Sequence, residues 1–144
     1  MIYLDTCFLT PLFRAEATSK SVERFLSTQA DGSLAVSQWT RVEFASVIAR
    51  EARMKLLDEK TARRLIDEFD ALVDVSLHLW IPKLDDFNLA HQFVSQFESA
   101  LRAPDALHLA IARNHGAEEV LTFDEGLLFA AKKLKIKARR GIRS

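Results

Sequence analysis

The stretch Ile2-Tyr3-Leu4-Asp5 is a short apolar run that ends at a carboxylate, and Val120-Leu121-Thr122-Phe123-Asp124 repeats this pattern near the other end of the chain. Short apolar runs of this kind are typical of buried strands. The segments between them carry apolar residues at helical spacing, so strands and helices alternate. This order predicts an α/β protein with three α/β/α layers, built on a mostly parallel sheet of four or five strands.

Periodicity predicts where the other elements lie. Strands are expected at 34–36, at 75–81, where apolar and polar residues alternate, and from Ile136. Helices are expected at 19–29, 40–54, 58–73, from Asp85 to Leu101, at 105–114 and after Asp124. In the helix that begins at Asp85, the pattern places Ala90, Phe93, Val94 and Phe97 toward the core.

The composition is that of an ordinary globular domain. The chain has 144 residues, 49% apolar and 28% charged, which predicts a single domain over 1–144. Four Gly and three Pro are too few for an all-β protein with many tight turns. The single cysteine, Cys7, excludes a disulfide framework. Because the chain has no basic leader and no long apolar run, we expect a cytoplasmic protein without a membrane span.

The charge is balanced overall but unevenly distributed. The 20 basic and 20 acidic residues cancel, yet seven basic residues and no acid lie between Lys132 and the C-terminus, which leaves −7 on the rest of the chain. Such a basic segment suits contact with phosphates or an acidic peptide, and equally a solvated last helix and tail.

Four carboxylates are expected at one edge of the predicted sheet. Asp5 and Asp124 directly follow strand patterns, Glu43 lies early in the helix after the second strand, and Asp105 lies in the first turn of a helix that is apolar nearly all round. Converging carboxylates repel one another unless a cation lies among them. Oxygen ligands with retained waters are what Mg²⁺ or Mn²⁺ prefers, so the pattern predicts a metal site.

Each of these residues also has a purely structural interpretation. Thr40 and Glu43 have the spacing of a capping box, Asp105 follows Pro104 in a first helical turn, and Asp124 suits an N-cap. Asp5 suits a turn or a cap as well. Taken together, the four carboxylates favour a metal site over separate caps, because all four positions map to one edge of the predicted sheet.

The chain resembles a known family in four segments. They are Ile2-Tyr-Leu-Asp-Thr6, Arg41-Val-Glu-Phe-Ala45, Pro104-Asp-Ala-Leu-His-Leu-Ala-Ile-Ala112 and Leu121-Thr-Phe-Asp-Glu-Gly-Leu127. They look like the four acidic motifs of PIN domains, and more narrowly like the VapC-type toxins of toxin–antitoxin pairs. The order of the four segments, their spacing and the length of the chain resemble those of this family over nearly the whole chain.

The resemblance implies a small α/β/α endoribonuclease whose Mg²⁺ or Mn²⁺ is held by Asp5, Glu43, Asp105 and Asp124. Thr6 and Thr122 match hydroxyl positions that support such a site. The resemblance also implies a homodimer and a cognate antitoxin that covers the acidic groove. The RNA target stays open between transfer, ribosomal and messenger RNA.

The sequence also contains candidate RNA-contact residues and is compatible with other functions. Arg14, Arg41, Arg102 and the basic C-terminal segment are candidate RNA contacts, or else solvated surface. His108 is expected to be packed or hydrogen-bonded, and Cys7 to be buried rather than nucleophilic. A non-catalytic binding module of the same fold is the main alternative. A phosphatase that uses Asp5 as nucleophile lacks its usual Asp-x-Asp-x-Thr pattern, since position 7 is Cys and position 9 is Leu.

Overall fold

A computed structural model describes residues 1–142; Arg143, part of the predicted basic segment, and Ser144 lie outside the described residues. Residues 1–142 form five strands: β1 (Ile2–Leu4), β2 (Leu34–Ser37), β3 (His78–Trp80), β4 (Glu119–Leu121) and β5 (Ala138–Arg139). They also form seven α-helices: α1 (Thr6–Leu9), α2 (Ser19–Ser27), α3 (Gln38–Arg53), α4 (Glu59–Ser76), α5 (Leu84–Val94), α6 (Ala103–Asn114) and α7 (Glu125–Lys133). None of these seven helices is long and apolar enough to cross a bilayer.

The strands form one sheet in the order β3-β2-β1-β4-β5, and each pairing described within residues 1–142 is parallel. The chain first builds outward from β1 to β3 and then returns to place β4 on the other side of β1. At such a reversal a crevice opens beyond the carboxyl ends of the strands, which is where parallel sheets bind ligands. The crevice between β1 and β4 therefore positions the candidate site.

Helices cover both faces of the sheet because successive strand residues point to opposite sides. Tyr3 packs in a core with α5, α6 and α7, whereas Leu4 packs in a second core with α1, α2, α3 and α4. Helix α6 is buried at every position from Ala106 to Ala112, as its apolar sequence predicts. The three-layer α/β/α fold with a parallel sheet of five strands is confirmed.

The strand predicted over 75–81 is wrong in its first half. Helix α4 continues through Ser76, and only His78–Trp80 form a strand. Val73 is buried in the core whereas Val75 is 85% exposed. The packing of Val73 in the core therefore favours a helix up to Ser76, although apolar and polar residues alternate from Val75 onward.

The helix predicted from Asp85 to Leu101 is also too long. Helix α5 ends at Val94, and a 3₁₀ turn covers Phe97–Ser99. The Ser99 hydroxyl donates to the backbone oxygen of Gln96 (2.8 Å), and Ala100 has a left-handed φ of 54°. The chain turns here so that α6 packs along α5. As a result Phe97, predicted to face inward, is 87% exposed.

Candidate active site

Four acidic side chains meet at the crevice between β1 and β4. Asp5 follows β1 directly, and Asp124 lies three residues after β4. Glu43 lies in the second turn of α3, the helix that begins directly after β2, and Asp105 lies in the first turn of α6. All four line one open pocket of about 270 Å³. The structure thus brings together the four carboxylates that the sequence places at one sheet edge.

Asp5 is nearly buried, with 4% of its surface exposed, and both of its carboxylate oxygens are engaged. Oδ1 accepts a hydrogen bond from the backbone N–H of Thr6 (2.8 Å), which caps α1. Oδ2 accepts from the hydroxyl of Thr122 (2.7 Å) and from the thiol of Cys7 (3.0 Å). These contacts hold the Asp5 carboxylate in one orientation at the floor of the pocket.

Thr6 and Thr122 each hold one of the site carboxylates. The Thr6 hydroxyl donates to Oε1 of Glu43 (2.6 Å), as the Thr122 hydroxyl does to Asp5. Thr122 Oγ1 also accepts from the backbone N–H of Asp124 (3.0 Å). The two hydroxyls therefore lie where the resemblance expects supporting groups.

Glu43 and Asp5 share a buried histidine that is outside the predicted ligand set. His108 Nε2 donates a hydrogen bond to Glu43 and lies 3.3 Å from Oδ1 of Asp5, while Nδ1 is hydrogen-bonded to the Tyr3 hydroxyl (2.7 Å). The expectation that His108 is packed and hydrogen-bonded is confirmed; its partners are the unexpected finding. The spacing between Asp105 and His108 could have indicated that His108 lies at the site, because residues three apart share a helix face.

The environment of these groups shifts their pKa values in opposite directions. Burial opposes the charged form of His108, but the Tyr3 oxygen and the Glu43 and Asp5 carboxylates outweigh it and raise its pKa well above the usual value. Burial would raise the pKa of Glu43, yet hydrogen bonds from His108 and Thr6 lower it overall. Both shifts favour the charged forms of the pair, the Glu43 carboxylate and the His108 imidazolium.

The surroundings of Asp105 disfavour its charged form. Burial first, and then the charges of Asp5, Asp124 and Glu43, raise the pKa of Asp105 to about 6, against a smaller opposing effect of His108. A nearby cation would therefore favour the charged form of Asp105.

The capping interpretations are partly correct. Asp5 caps α1, and Asp124 caps α7 by accepting from the backbone N–H of Leu127 (2.8 Å). The capping box predicted for Thr40 with Glu43 is wrong, because the N-cap of α3 is Ser37 and Thr40 is its partner. Glu43 lies one turn further along the helix and is free to face the pocket.

The donor set suits a hard divalent cation. Asp5, Glu43 and His108 each place a ligand atom within 4.8 Å of the others, and Asp105 and Asp124 line the same pocket. Carboxylate oxygens are the ligands that Mg²⁺ and Mn²⁺ prefer, and His108 alone cannot balance four carboxylates. The chemistry of these residues fits either ion.

The three arginines predicted to contact RNA differ in their surroundings. Arg14 Nε lies 2.6 Å from Oε2 of Glu51, and Arg41 donates to Asp70 (2.9 Å). Arg102 is exposed at the N-terminal end of α6, three residues before Asp105. Two of the three guanidinium groups are thus engaged by carboxylates of the same chain.

The basic C-terminal segment is partly engaged in the same way. Arg139 forms two hydrogen bonds of 2.8 Å with Glu119. Arg140 forms an ion pair of 2.8 Å with Glu125, and its guanidinium carbon lies 5.2 Å from the ring centre of Phe123. Arg140 therefore lies beside the first turn of α7, next to Asp124.

Comparison with protein families decides the relationship of the chain. The model of the PIN domain matches residues 2–133, which is most of the sequence and includes all four acidic segments. The chain belongs to the PIN domain family. A comparison of this PIN domain with curated proteins finds no significant match.

Solved structures with the same fold include a toxin and a toxin–antitoxin complex. The PIN domain is similar to VapC20 of Mycobacterium tuberculosis, described as a sarcin–ricin loop cleaving toxin, at 17% identity and a TM-score of 0.73 over 90% of this chain and 95% of that one. FitAcB from Neisseria gonorrhoeae matches at 20% identity and a TM-score of 0.72 over 98% of both chains. A toxin–antitoxin complex from Klebsiella pneumoniae matches at 18% identity and a TM-score of 0.61 over 86% of this chain and 87% of that one. These identities establish a shared fold.

Proposed function

We propose that this PIN domain is a metal-dependent endoribonuclease and the toxin of a toxin–antitoxin pair. The observation that carries the proposal is the convergence of Asp5, Glu43, Asp105 and Asp124 on one pocket. The similarity to VapC20, a toxin described as cleaving the sarcin–ricin loop, supports RNA as the substrate.

The residues of the pocket have separable roles in phosphodiester hydrolysis. A bound Mg²⁺ or Mn²⁺ would polarise the phosphate, lower the pKa of water and offset developing charge. Asp5, Asp105 and Asp124 would hold that ion. Glu43 Oε1 is occupied by Thr6 and His108, whereas Oε2 has no hydrogen bond among residues 1–142 and is available to complete the ligand shell of the ion or to orient the attacking water.

Asp5 is poorly arranged for the alternative role of phosphatase nucleophile. Its two oxygens already accept from Thr6, Thr122 and Cys7, so nucleophilic attack by either one would break hydrogen bonds at a nearly buried position. Hydrolysis by an activated water requires no such rearrangement.

The proposal is tested by incubating purified transfer, ribosomal and messenger RNA with the protein in Mg²⁺, in Mn²⁺ and in EDTA. We expect cleavage that requires a divalent cation. The cleavage rate should fall at least about 100-fold in Asp105→Asn, because removal of a ligand weakens binding of the ion. The control Asp67→Asn removes the same charge from an exposed position of α4 and should cleave like the wild type. A folded protein that binds RNA without cleaving it under any condition would instead indicate the binding module.

Arg102 is proposed to contact the RNA backbone at the rim of the pocket. Arg102 is exposed three residues before Asp105, whereas Arg14 and Arg41 are paired with Glu51 and Asp70. Arg102→Ala should raise KM more than it lowers kcat, and Arg41→Ala is the matched control. A KM that is unchanged in Arg102→Ala would place the contact elsewhere.

The proposed partner is an antitoxin that inserts an Arg or Lys among the carboxylates. A guanidinium can replace the charge of the cation and hydrogen-bond a carboxylate bidentately. The affinity of such a partner, measured by calorimetry, should fall with excess Mg²⁺ or Mn²⁺ and again when its basic residue is replaced by Ala. Affinity that is indifferent to both changes would place inhibition outside the acidic pocket.

A further inference from the structure

Helix α3 is tied to β1 and α6 by a closed ring of buried and partly buried hydrogen bonds. The Tyr3 hydroxyl on β1 bonds Ser37 Oγ (2.8 Å), the N-cap of α3, and His108 Nδ1 on α6 (2.7 Å). His108 Nε2 in turn donates to Glu43, which returns the ring to α3 one and a half turns after its start. Tyr3, Ser37 and His108 are all completely buried.

This ring determines where the Glu43 carboxylate lies. A carboxylate only accepts hydrogen bonds, so the hydrogen between His108 and Glu43 belongs to Nε2. The Tyr3 hydroxyl is hydrogen-bonded to Nδ1, the other ring nitrogen of His108. The Tyr3 ring stacks on the Trp80 ring, with the ring centres 5.8 Å apart. The imidazole therefore cannot rotate without breaking a buried hydrogen bond, which costs about 1–3 kcal/mol when the group stays unpaired.

We propose that His108, oriented by Tyr3, is a positioning residue that places the Glu43 carboxylate for a divalent cation and is not itself a ligand of that cation. Both of its ring nitrogens are already engaged, one by Tyr3 and one by Glu43. The proposal deepens the proposed function and rests on it for the role of Glu43. The test of the proposal therefore measures cation binding, which can be observed without RNA cleavage.

The test measures Mn²⁺ affinity by calorimetry in Tyr3→Phe, His108→Leu and His108→Gln. Groups that orient a ligand typically change metal affinity by about 10–100-fold when removed. We expect a loss of about tenfold in His108→Leu, a smaller loss in Tyr3→Phe, and partial recovery in His108→Gln, whose amide N–H can still donate to Glu43. His91→Leu, at an exposed histidine of α5, is the control and should bind Mn²⁺ like the wild type.

A double-mutant cycle separates action through Glu43 from a general effect on the fold. In the Glu43→Gln background, His108→Gln should change Mn²⁺ affinity by less than about twofold, because the group that it positions is gone. The same loss in both backgrounds would overturn the proposal. Since His108→Gln and Tyr3→Phe keep most of the buried volume, they allow the cycle to be completed if His108→Leu does not fold.

Pulsed EPR of the Mn²⁺ complex tests whether His108 is a ligand. A directly coordinated imidazole nitrogen produces a strong hyperfine coupling, whereas a positioning residue does not. We expect no such coupling in the wild type. A nitrogen coupling that disappears in His108→Gln would make His108 a ligand and overturn the proposal. Failure of RNA cleavage with the Mn²⁺ results intact would refute the proposed function and leave the positioning role standing.

Discussion

Asp105 links the electrostatics of the pocket to stability. Its pKa of about 6 lies above the value of 3.8 for an unperturbed carboxyl, so the folded state holds the proton more tightly than the unfolded chain does. Between about pH 4 and 6, Asp105 binds more protons in the folded protein than in the unfolded chain. The free energy of unfolding must therefore decrease as pH rises. The destabilisation is complete above the folded pKa.

Asp105→Asn is expected to stabilise the cation-free protein by about 1–2 kcal/mol at pH 7.5, after allowance for solvent screening, and to have little effect at pH 4. Urea unfolding in EDTA at both pH values measures the difference. Asp67→Asn, an exposed position, should change stability by less than about 0.5 kcal/mol at either pH. A stabilisation that does not grow with pH would show that repulsion at Asp105 is not its source.

Cys7 is a site residue whose thiol is held in its neutral form. It is half-buried beside Asp5 and Thr122. Burial first, and then the negative charge of Asp5, raise the pKa of the Cys7 thiol far above its usual range. The thiolate is the reactive form of cysteine, so Cys7 is inert as a nucleophile.

Alkylation by iodoacetamide tests this state of Cys7. At pH 8 the folded, cation-free protein should react at least about tenfold more slowly than the same protein in urea. Mass spectrometry measures the modified fraction with time. Equal rates in the folded and unfolded protein would contradict a protonated, half-buried thiol.

At the scale of elements, the site is built from helix beginnings. Asp5 and Asp124 cap α1 and α7, and Asp105 lies in the first turn of α6. Backbone N–H groups at these helix starts are unpaired within the helix and favour nearby negative charge. The helices thus partly offset the repulsion among the carboxylates, which lets the apoprotein keep them close together.

Substitutions of Asp124 separate capping from cation binding. Asp124→Asn keeps an oxygen that can accept from the Leu127 N–H, whereas Asp124→Ala loses it. Both variants should lose RNA cleavage, and in EDTA Asp124→Ala should be about 1 kcal/mol less stable than Asp124→Asn, because both lose the same charge and only Ala loses the cap. Urea unfolding and a cleavage assay on the same samples measure the two effects. Equal destabilisation by Asn and Ala would mean that the cap contributes nothing to α7.

At the scale of the whole molecule, apolar surface remains that one copy of the chain does not cover. Phe87 is 54% exposed and lines an apolar groove with Trp39, Pro104 and Leu107 between α5 and α6. The ten Phe and two Trp of the chain predict such a patch. Apolar patches of this kind are typical of contacts between subunits.

A homodimer is therefore still predicted. Sedimentation at tens of micromolar should show a dimer, and Phe87→Arg should weaken its association by at least about tenfold, because a charge would be buried in the contact. Phe129→Arg, at an exposed phenylalanine of α7, is the control for a general effect of added charge. A wild-type monomer at this concentration would refute the prediction.

The sequence by itself determined the layers of the fold and the acidic positions. Strand and helix periods are local, and a carboxylate directly after a strand, as at Asp5, must lie at the carboxyl edge whatever the packing. The family resemblance added the roles of Thr6 and Thr122, which no local period indicates. These features depend on residues that are neighbours in the chain.

Only the tertiary structure decided the features that depend on distant partners. Packing of Val73 extends α4 into the alternating segment, and the turn before α6 leaves Phe97 exposed. The ring that joins Tyr3, Ser37 and His108 to Glu43 spans 106 positions of the chain, from β1 to α6. A buried hydrogen bond requires its partner within about 3 Å, and that distance is set by how the sheet brings β1, α3 and α6 together.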